Sequence, residues 1–215
     1  MLGYRIIEGG KKMDFIEKVK GMLLDPTGTY QNLKDENMGA ALRYFVIWLL
    51  IFSALAAVIF AVVGTAVLSM IPQTAELGML NSFLGAGGGI VIAGAMFIAI
   101  LIFGVIGVFI GAAIIHLGVL LVGGNNGYGQ TVKSLIYGGT PSYLFGWIPF
   151  IGIIGSIWSL ILIIFGVKEL QEVSTGKAVI AVLIPVVIIA AIVGISMIGA
   201  ILSGLSGMPP TIPAP

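Results

Sequence analysis

The sequence predicts an all-α polytopic membrane protein with five transmembrane helices and a short N-terminal amphipathic helix. Of its 215 residues, 59% are hydrophobic and 9% are charged, whereas soluble domains carry about 25% charged residues. Long apolar stretches lie at residues 41–69, 90–122, 132–150, 151–167 and 178–202. Each stretch is close to or longer than the roughly 20 residues that a helix needs to cross the hydrocarbon core. The stretches lack the alternation of apolar and polar residues that is typical of barrel strands. We therefore predict that they are helical spans.

The distribution of lysine and arginine predicts the topology. The first seven basic residues, from Arg5 to Arg43, precede or open the first stretch. Lys133 lies where the second stretch gives way to the third, and Lys168 and Lys177 lie between the fourth and the fifth. If the chain crosses the membrane five times, all of these basic segments lie on the same side of it. The positive-inside rule therefore predicts a cell-membrane protein with its N-terminus in the cytoplasm and its C-terminus outside.

The two ends of the chain differ from the membrane domain at residues 41–203. Residues 1–13 are predicted to be a non-native or disordered leader with Met13 as the natural start, because they lack the apolar segment and cleavage site of a signal peptide. Residues 204–215 are rich in proline and are predicted to be a disordered tail. Residues 14–40 are predicted to be a cytoplasmic segment next to the membrane.

That cytoplasmic segment begins with the predicted amphipathic helix. Asp14 and Glu17 have the spacing of a capping box, and Asp25-Pro26 ends the helix. With basic residues on its flanks, the helix is expected either to lie in the headgroup layer or to pack under the bundle as a cap. The apolar residues that recur at helical spacing are the candidate membrane-surface residues: Phe15, Ile16, Val19, Met22 and Leu23.

The third span is the least regular and carries most of a candidate intramembrane polar site. Two glycines and a proline in its middle predict a broken helix. The side chains of Thr140 and Ser142 are available to bind the backbone carbonyls that the break leaves unpaired. His116, the single histidine, lies in the second span, where an ionisable group suggests a function. The candidate residues are His116, Tyr137, Thr140, Pro141 and Ser142. They form either an ion or substrate site, or a structural kink with His116 bonded to Tyr137 or a backbone carbonyl.

Catalytic, metal and cofactor sites are not predicted. The absence of cysteine excludes thiolate chemistry, and one histidine excludes the paired-histidine zinc motif. A serine–histidine pair could join Ser142 or Ser156 to His116, but no glycine-framed nucleophile motif surrounds either serine. With a net charge of +1, the protein has no strong positive potential that would attract nucleic acid. We therefore predict a protein that is not an enzyme.

Short motifs along the chain carry a family resemblance. In order they are Leu24-Asp25-Pro26-Thr27-Gly28, Tyr30, Tyr128-Gly129-Gln130, Tyr137, Pro141, Trp147-Ile148-Pro149, Ile157-Trp158-Ser159, Gly166-Val167-Lys168-Glu169-Leu170, Gly176-Lys177-Ala178 and Pro185. Together, over residues 15–202, they resemble the Yip domain family, integral membrane proteins named for interaction with Ypt/Rab GTPases. The resemblance implies a five-helix bundle and, in eukaryotic relatives, a role in vesicle trafficking through binding partners. The short N-terminal region is most similar to prokaryotic members, so GTPase binding is not carried over.

Three functions follow from these observations. The first is a non-enzymatic protein that binds other proteins or organises the lipid bilayer through its N-terminal helix and cytoplasmic rim. The second is a small transporter or lipid-translocating protein built on the broken third span, and the third is an intramembrane hydrolase. A membrane or cytoplasmic protein partner and a homo-oligomer are left open. The charges Lys133, Lys168, Glu169, Glu172 and Lys177 are expected to form a solvated rim or a docking face.

Overall fold

The computed structural model describes residues 13–59, 78, 88–148 and 150–206. Within these ranges the chain is helical and contains no strand. The elements discussed below are α1 (Phe15–Leu24), α2 (Pro26–Leu33), α3 (Met38–Ile59), α4 (Gly88–Leu121), α5 (Tyr128–Gly138), α6 (Thr140–Phe145), α7 (Ile151–Gln171) and α8 (Thr175–Ser206). Most of the predicted leader and tail, and residues 60–69 of the first predicted span, lie outside the described residues.

Four of the described helices are long and apolar enough to cross a membrane: α3, α4, α7 and α8. They begin within three residues of the first, second, fourth and fifth predicted stretches. Large apolar side chains such as Ile102 on α4 and Ile195 on α8 are exposed on their outer faces, where a bilayer would cover them. The chain is therefore a multi-pass membrane protein.

The third predicted span is a pair of shorter helices. The prediction of one broken helix over residues 132–150 was wrong in its bounds, because α5 already begins at Tyr128 and α6 ends at Phe145. The break itself is confirmed and lies at Gly139. Thr140 donates a side-chain hydrogen bond to the Tyr137 carbonyl at 2.6 Å, which is the role expected for a hydroxyl beside a broken helix.

Tyr30 of α2 joins the N-terminal helices to α5 and α7. Its side chain is fully buried, and its hydroxyl donates to the Ser134 carbonyl at 3.0 Å. Two glycines leave room for the ring, because a Cβ on Gly138 or Gly166 would lie 2.9 or 2.6 Å from Tyr30 atoms. Burial raises the pKa of Tyr30 well above its usual value, so the ring stays neutral.

Gly166→Ala is therefore expected to lower the free energy of unfolding by about 1 to 3 kcal/mol, the usual cost of overpacking a buried contact. Gly176→Ala is the matched control, because nothing lies within 4 Å of a Cβ at that helical position. The control is expected to raise stability by roughly 0.4 to 1 kcal/mol. Thermal unfolding of the two variants in one detergent measures the difference, and equal midpoints would contradict the tight contact with Tyr30.

Candidate functional site

One end of the bundle gathers the described charged residues, and we call it the platform. It consists of α1, α2, the residues 34–37 that follow them, the α4–α5 loop 122–127 and the α7–α8 loop 172–174. The basic residues within the described ranges lie in these segments or in adjoining helix turns: Lys18, Lys20, Lys34, Arg43, Lys133, Lys168 and Lys177. This clustering agrees with the prediction that they share one side of the membrane.

The α1 helix begins as the sequence predicts. The Asp14 side chain accepts a hydrogen bond from the Glu17 backbone N–H at 2.7 Å, and the Glu17 side chain accepts one from the Asp14 N–H at 3.0 Å. Each bond satisfies an N–H that a helix start would otherwise leave unpaired. Pro26 then begins α2, while the Asp25 side chain accepts from the Gly28 N–H at 3.0 Å. These caps fix where both helices of the platform start.

A buried ion pair holds α1 against the bundle. Lys18 is only 5% exposed, and its ammonium donates to Glu36 Oε1 at 2.5 Å. The Tyr137 hydroxyl donates to the other Glu36 oxygen, and the Lys18 ammonium lies 5.5 Å from the centre of the Tyr137 ring. Glu36 therefore links α1 to α5, with both carboxylate oxygens bonded and its charge opposed by Lys18.

Lys133 of α5 anchors the turn that follows α2. Its ammonium donates to the backbone carbonyls of Leu33, Lys34 and Glu36 at 3.3, 2.6 and 3.0 Å. All three ammonium donors are thus used by one turn. The prediction that Lys133 belongs to a solvated rim was wrong, since the residue is 4% exposed. The spacing of Lys133 and Tyr137, four residues apart on one helix face, is the sequence signal that could have indicated a shared partner.

The outer edge of the platform carries the ion pairs that fit the predicted rim. Lys34 pairs with Glu172, and Lys168 pairs with Glu169 at 2.7 Å. The Gln31 side chain also donates to Glu169 at 3.0 Å, which joins α2 to α7. The hydrogen bond between Lys34 and Glu172 lowers the pKa of Glu172 and raises the pKa of Lys34. Lys34 and Glu172 are largely open to solvent, and the Lys168–Glu169 pair is partly exposed, so the pairs orient the surface more than they stabilise it.

The apolar face of α1 packs mostly against the bundle. Met22 is fully buried, and the Phe15 ring lies 5.1 and 5.4 Å from the rings of Tyr44 and Trp48. Val19 is partly buried against the same core, and Leu23 is half-buried. Of the predicted membrane-surface residues, Ile16 alone is mostly exposed, at 55%. This packing corresponds to the cap interpretation of the helix.

The outward face of α1 carries a different set of side chains, which we call the outer stripe: Ile16, Lys20 and Leu24. They are spaced four residues apart and therefore lie along one side of the helix. Leu24 is 84% exposed, which makes it more exposed than Ile16, the other apolar residue of the outer stripe. Helical spacing predicts Ile16 in the apolar face of α1, and it predicts no binding role for Leu24.

The predicted intramembrane polar site does not form as one cluster. His116 Nδ1 lies 2.9 Å from Thr131 Oγ1, and its ring meets Tyr128 edge-on at 5.6 Å. His116 was predicted to bond to Tyr137 or to a backbone carbonyl, but its Nδ1 contacts the Thr131 hydroxyl, and Tyr137 bonds to Glu36. The reason is the hairpin between α4 and α5: His116 is in the last turns of α4 and so faces the first turn of α5.

The other residues of the predicted site tie neighbouring helices together. Thr140 lies 2.7 Å from the Tyr44 hydroxyl, and Pro141 is buried at the start of α6. The Ser142 N–H donates to Ser159 Oγ at 2.9 Å. These bonds are internal to the protein, so the described residues give no support to a transport path lined by these groups.

The described residues also assemble no serine–histidine pair. Ser142 Oγ donates to the Gly155 carbonyl at 3.4 Å, and Ser156 Oγ donates to the Gly152 carbonyl at 2.8 Å. His116 is bonded to Thr131 instead. Nor does any group of three metal-binding side chains occur in the part of the chain that the structure describes. Within the described ranges, Ser142, Ser156 and His116 therefore give the hydrolase hypothesis no support.

Comparison with known proteins gives one positive result. A family model described as Yip1 domain matches residues 20–198, which is most of the chain. No curated protein and no solved structure matches. The matched residues begin in the second half of α1 and continue into α8.

Proposed function

The chain belongs to the Yip1 domain family, and on that premise we propose that it is a non-enzymatic, five-span protein of the cell membrane that binds another protein at its platform. The N-terminus and the platform then lie in the cytoplasm, and the C-terminus lies outside. Its other partner is the lipid bilayer, which contacts the outer faces of the membrane-spanning helices. The platform is the feature from which we infer protein binding.

We assign the third crossing to α5 and α6 together. Residues 128–145 would extend about 27 Å at 1.5 Å per residue, close to a hydrocarbon core of about 30 Å. The buried polar groups at the α5 end, Lys133 and Ser134 among them, would lie near the cytoplasmic surface with the platform. This assignment supports the odd number of crossings that the distribution of basic residues requires.

The binding proposal rests on one observation: α1 is held against the bundle, while the apolar side chains of its outer stripe point away from the bundle and are exposed. The ion pair from Lys18 to Glu36 and the packing of Met22 hold α1 in one position. Its outer stripe then presents Ile16 and Leu24 around Lys20. An anchor that is already ordered loses little entropy on binding, and a few desolvated residues near the centre of an interface carry most of its energy. The matching partner would offer an apolar groove with an acidic rim.

The proposal predicts that the double variant Ile16→Glu, Leu24→Glu loses its partner while it keeps its fold. Both side chains are exposed, so the free energy of unfolding should change by no more than about 0.5 kcal/mol. Partner recovery after in-cell cross-linking and purification should fall about tenfold or more, as for the loss of interface anchors. Asn32→Glu, an exposed platform residue outside the outer stripe, is the control and should keep the partner.

Equal recovery of one stoichiometric partner with the double variant and with the control would contradict the proposal. Recovery of only the protein itself and lipid from wild-type cells would also contradict it. Phe15→Glu is unsuitable for this test, because Phe15 packs against Tyr44 and Trp48 and its loss would disturb the fold.

A further inference from the structure

A cavity of about 760 Å³ lies within the membrane region between α3, α4, α6 and α7. Its walls include Trp48 and Phe52 of α3, Phe103 of α4, Tyr143 of α6, and Ser156 and Ile163 of α7. Its volume is within the range of about 300 to 1,000 Å³ that is usual for ligand pockets. No charged side chain is among the described residues that line it.

Glycines and the break at Gly139 shape the walls of this cavity. Gly139 precedes α6 and Gly146 follows it, and both line the cavity. Gly104 lets the Leu49 side chain approach α4, since a Cβ there would lie 2.6 Å from that side chain. Protein interiors are close-packed, so an empty volume of this size inside a bundle would forfeit many contacts.

The hydrogen-bonding groups of the walls are mostly used within the protein. Ser156 Oγ donates to the Gly152 carbonyl at 2.8 Å, and Ser159 Oγ accepts from the Ser142 N–H at 2.9 Å. Among the lining groups, the buried Trp48 indole N–H has no hydrogen-bond partner in the described residues, and the Tyr143 hydroxyl also forms no hydrogen bond to them. A polar solute would therefore find few partners here, whereas an apolar chain would lose none.

The rim of the cavity faces the bilayer. Phe103 lines the cavity and is 70% exposed, and it lies on α4, whose other exposed side chains, such as Ile102 and Ile106, are apolar. The cavity is thus continuous with the lipid-facing surface of α4, and the medium at its mouth is hydrocarbon. We propose that the cavity is a lipid site that takes an acyl chain of a bilayer phospholipid, with the Tyr143 hydroxyl as a donor to an ester oxygen.

Photolabelling in vesicles tests this site. The full-length protein would be placed in phosphatidylcholine vesicles that contain a phosphatidylcholine with a diazirine in its acyl chain, and labelled residues would be mapped by mass spectrometry. Wild-type protein should be labelled at cavity residues such as Trp48 and Tyr143. Ser156→Phe, which fills the cavity from α7, should reduce that labelling about tenfold, corresponding to a loss of 1.4 kcal/mol.

Ser196→Phe is the matched control. Ser196 is exposed on α8 and makes the same hydrogen bond to the carbonyl four residues before it, here Ile192 at 2.9 Å. It does not line the cavity, so labelling at Trp48 and Tyr143 should stay as in wild type. If Ser156→Phe unfolds the protein, Ser156→Leu replaces it, with Ser196→Leu as its control.

Three results would overturn the proposal. The first is labelling spread evenly over the lipid-facing residues, with no excess in the cavity. The second is cavity labelling that Ser156→Phe leaves unchanged. The third is cavity labelling that Ser196→Phe reduces as strongly as Ser156→Phe does.

Discussion

Glu36→Ala should lower the free energy of unfolding by about 3 to 5 kcal/mol, because it leaves the buried Lys18 ammonium without its counter-charge. Lys18 is 5% exposed and contacts Glu36 Oε1 at 2.5 Å. The Tyr137 hydroxyl loses its acceptor in the same variant. Unfolding in a fixed detergent would measure the loss. Hydrogen exchange of the α1 amides should rise with it, since Glu36 links α1 to α5.

A double variant separates the ion pair from the shape of the site. Lys18→Met combined with Glu36→Gln removes both charges, keeps the shape of the Glu36 side chain and shortens the Lys18 side chain by one atom. The large cost in Glu36→Ala comes from an uncompensated buried charge, and the double variant leaves no such charge, so most of the lost stability should return. If Glu36→Ala were as stable as wild type, the pair would not hold α1 in place.

Lys133→Met should lower the free energy of unfolding by about 1.5 to 3 kcal/mol, because hydrogen bonds to a charged group contribute about this much. The substitution removes the donors to the carbonyls of Leu33, Lys34 and Glu36. The turn between α2 and α3 then has no anchor from α5. Hydrogen exchange should accelerate in residues 33–37 more than in α7.

Lys168→Met provides the comparison for Lys133→Met. Lys168 forms its ion pair with Glu169 in a partly exposed position, so its loss should cost no more than about 1 kcal/mol. Similar losses for the two variants would mean that Lys133 is solvated like an ordinary rim residue, contrary to its burial.

The helices themselves could be predicted because their signals are local. Apolar length, the capping box at Asp14 and Glu17, and the Asp25-Pro26 boundary all act within a few residues. The break near Gly139 follows from the same kind of signal, since glycine and proline weaken helices wherever they occur. The all-α class and the starts of the four long helices therefore followed from the sequence.

The contacts of the platform could not be predicted, because they depend on how helices pack side by side. Lys133 meets carbonyls about one hundred residues earlier in the chain, and this contact requires the orientation of α2 against α5. His116 likewise contacts Thr131 because the α4–α5 hairpin places the end of α4 beside the start of α5. Helical periodicity gave the apolar face of α1, but it could not distinguish bundle from bilayer as the surface that covers that face.

The most direct test of the account is photo-cross-linking in living cells with a photoreactive amino acid at Leu24, and at Ile102 of α4 as the lipid-facing control. Both positions are exposed. We expect one protein adduct from Leu24, abolished when Lys20 is also changed to Glu, and lipid adducts from Ile102. Lipid adducts alone from Leu24 would contradict the account, because the outer stripe would then face the bilayer instead of a protein partner.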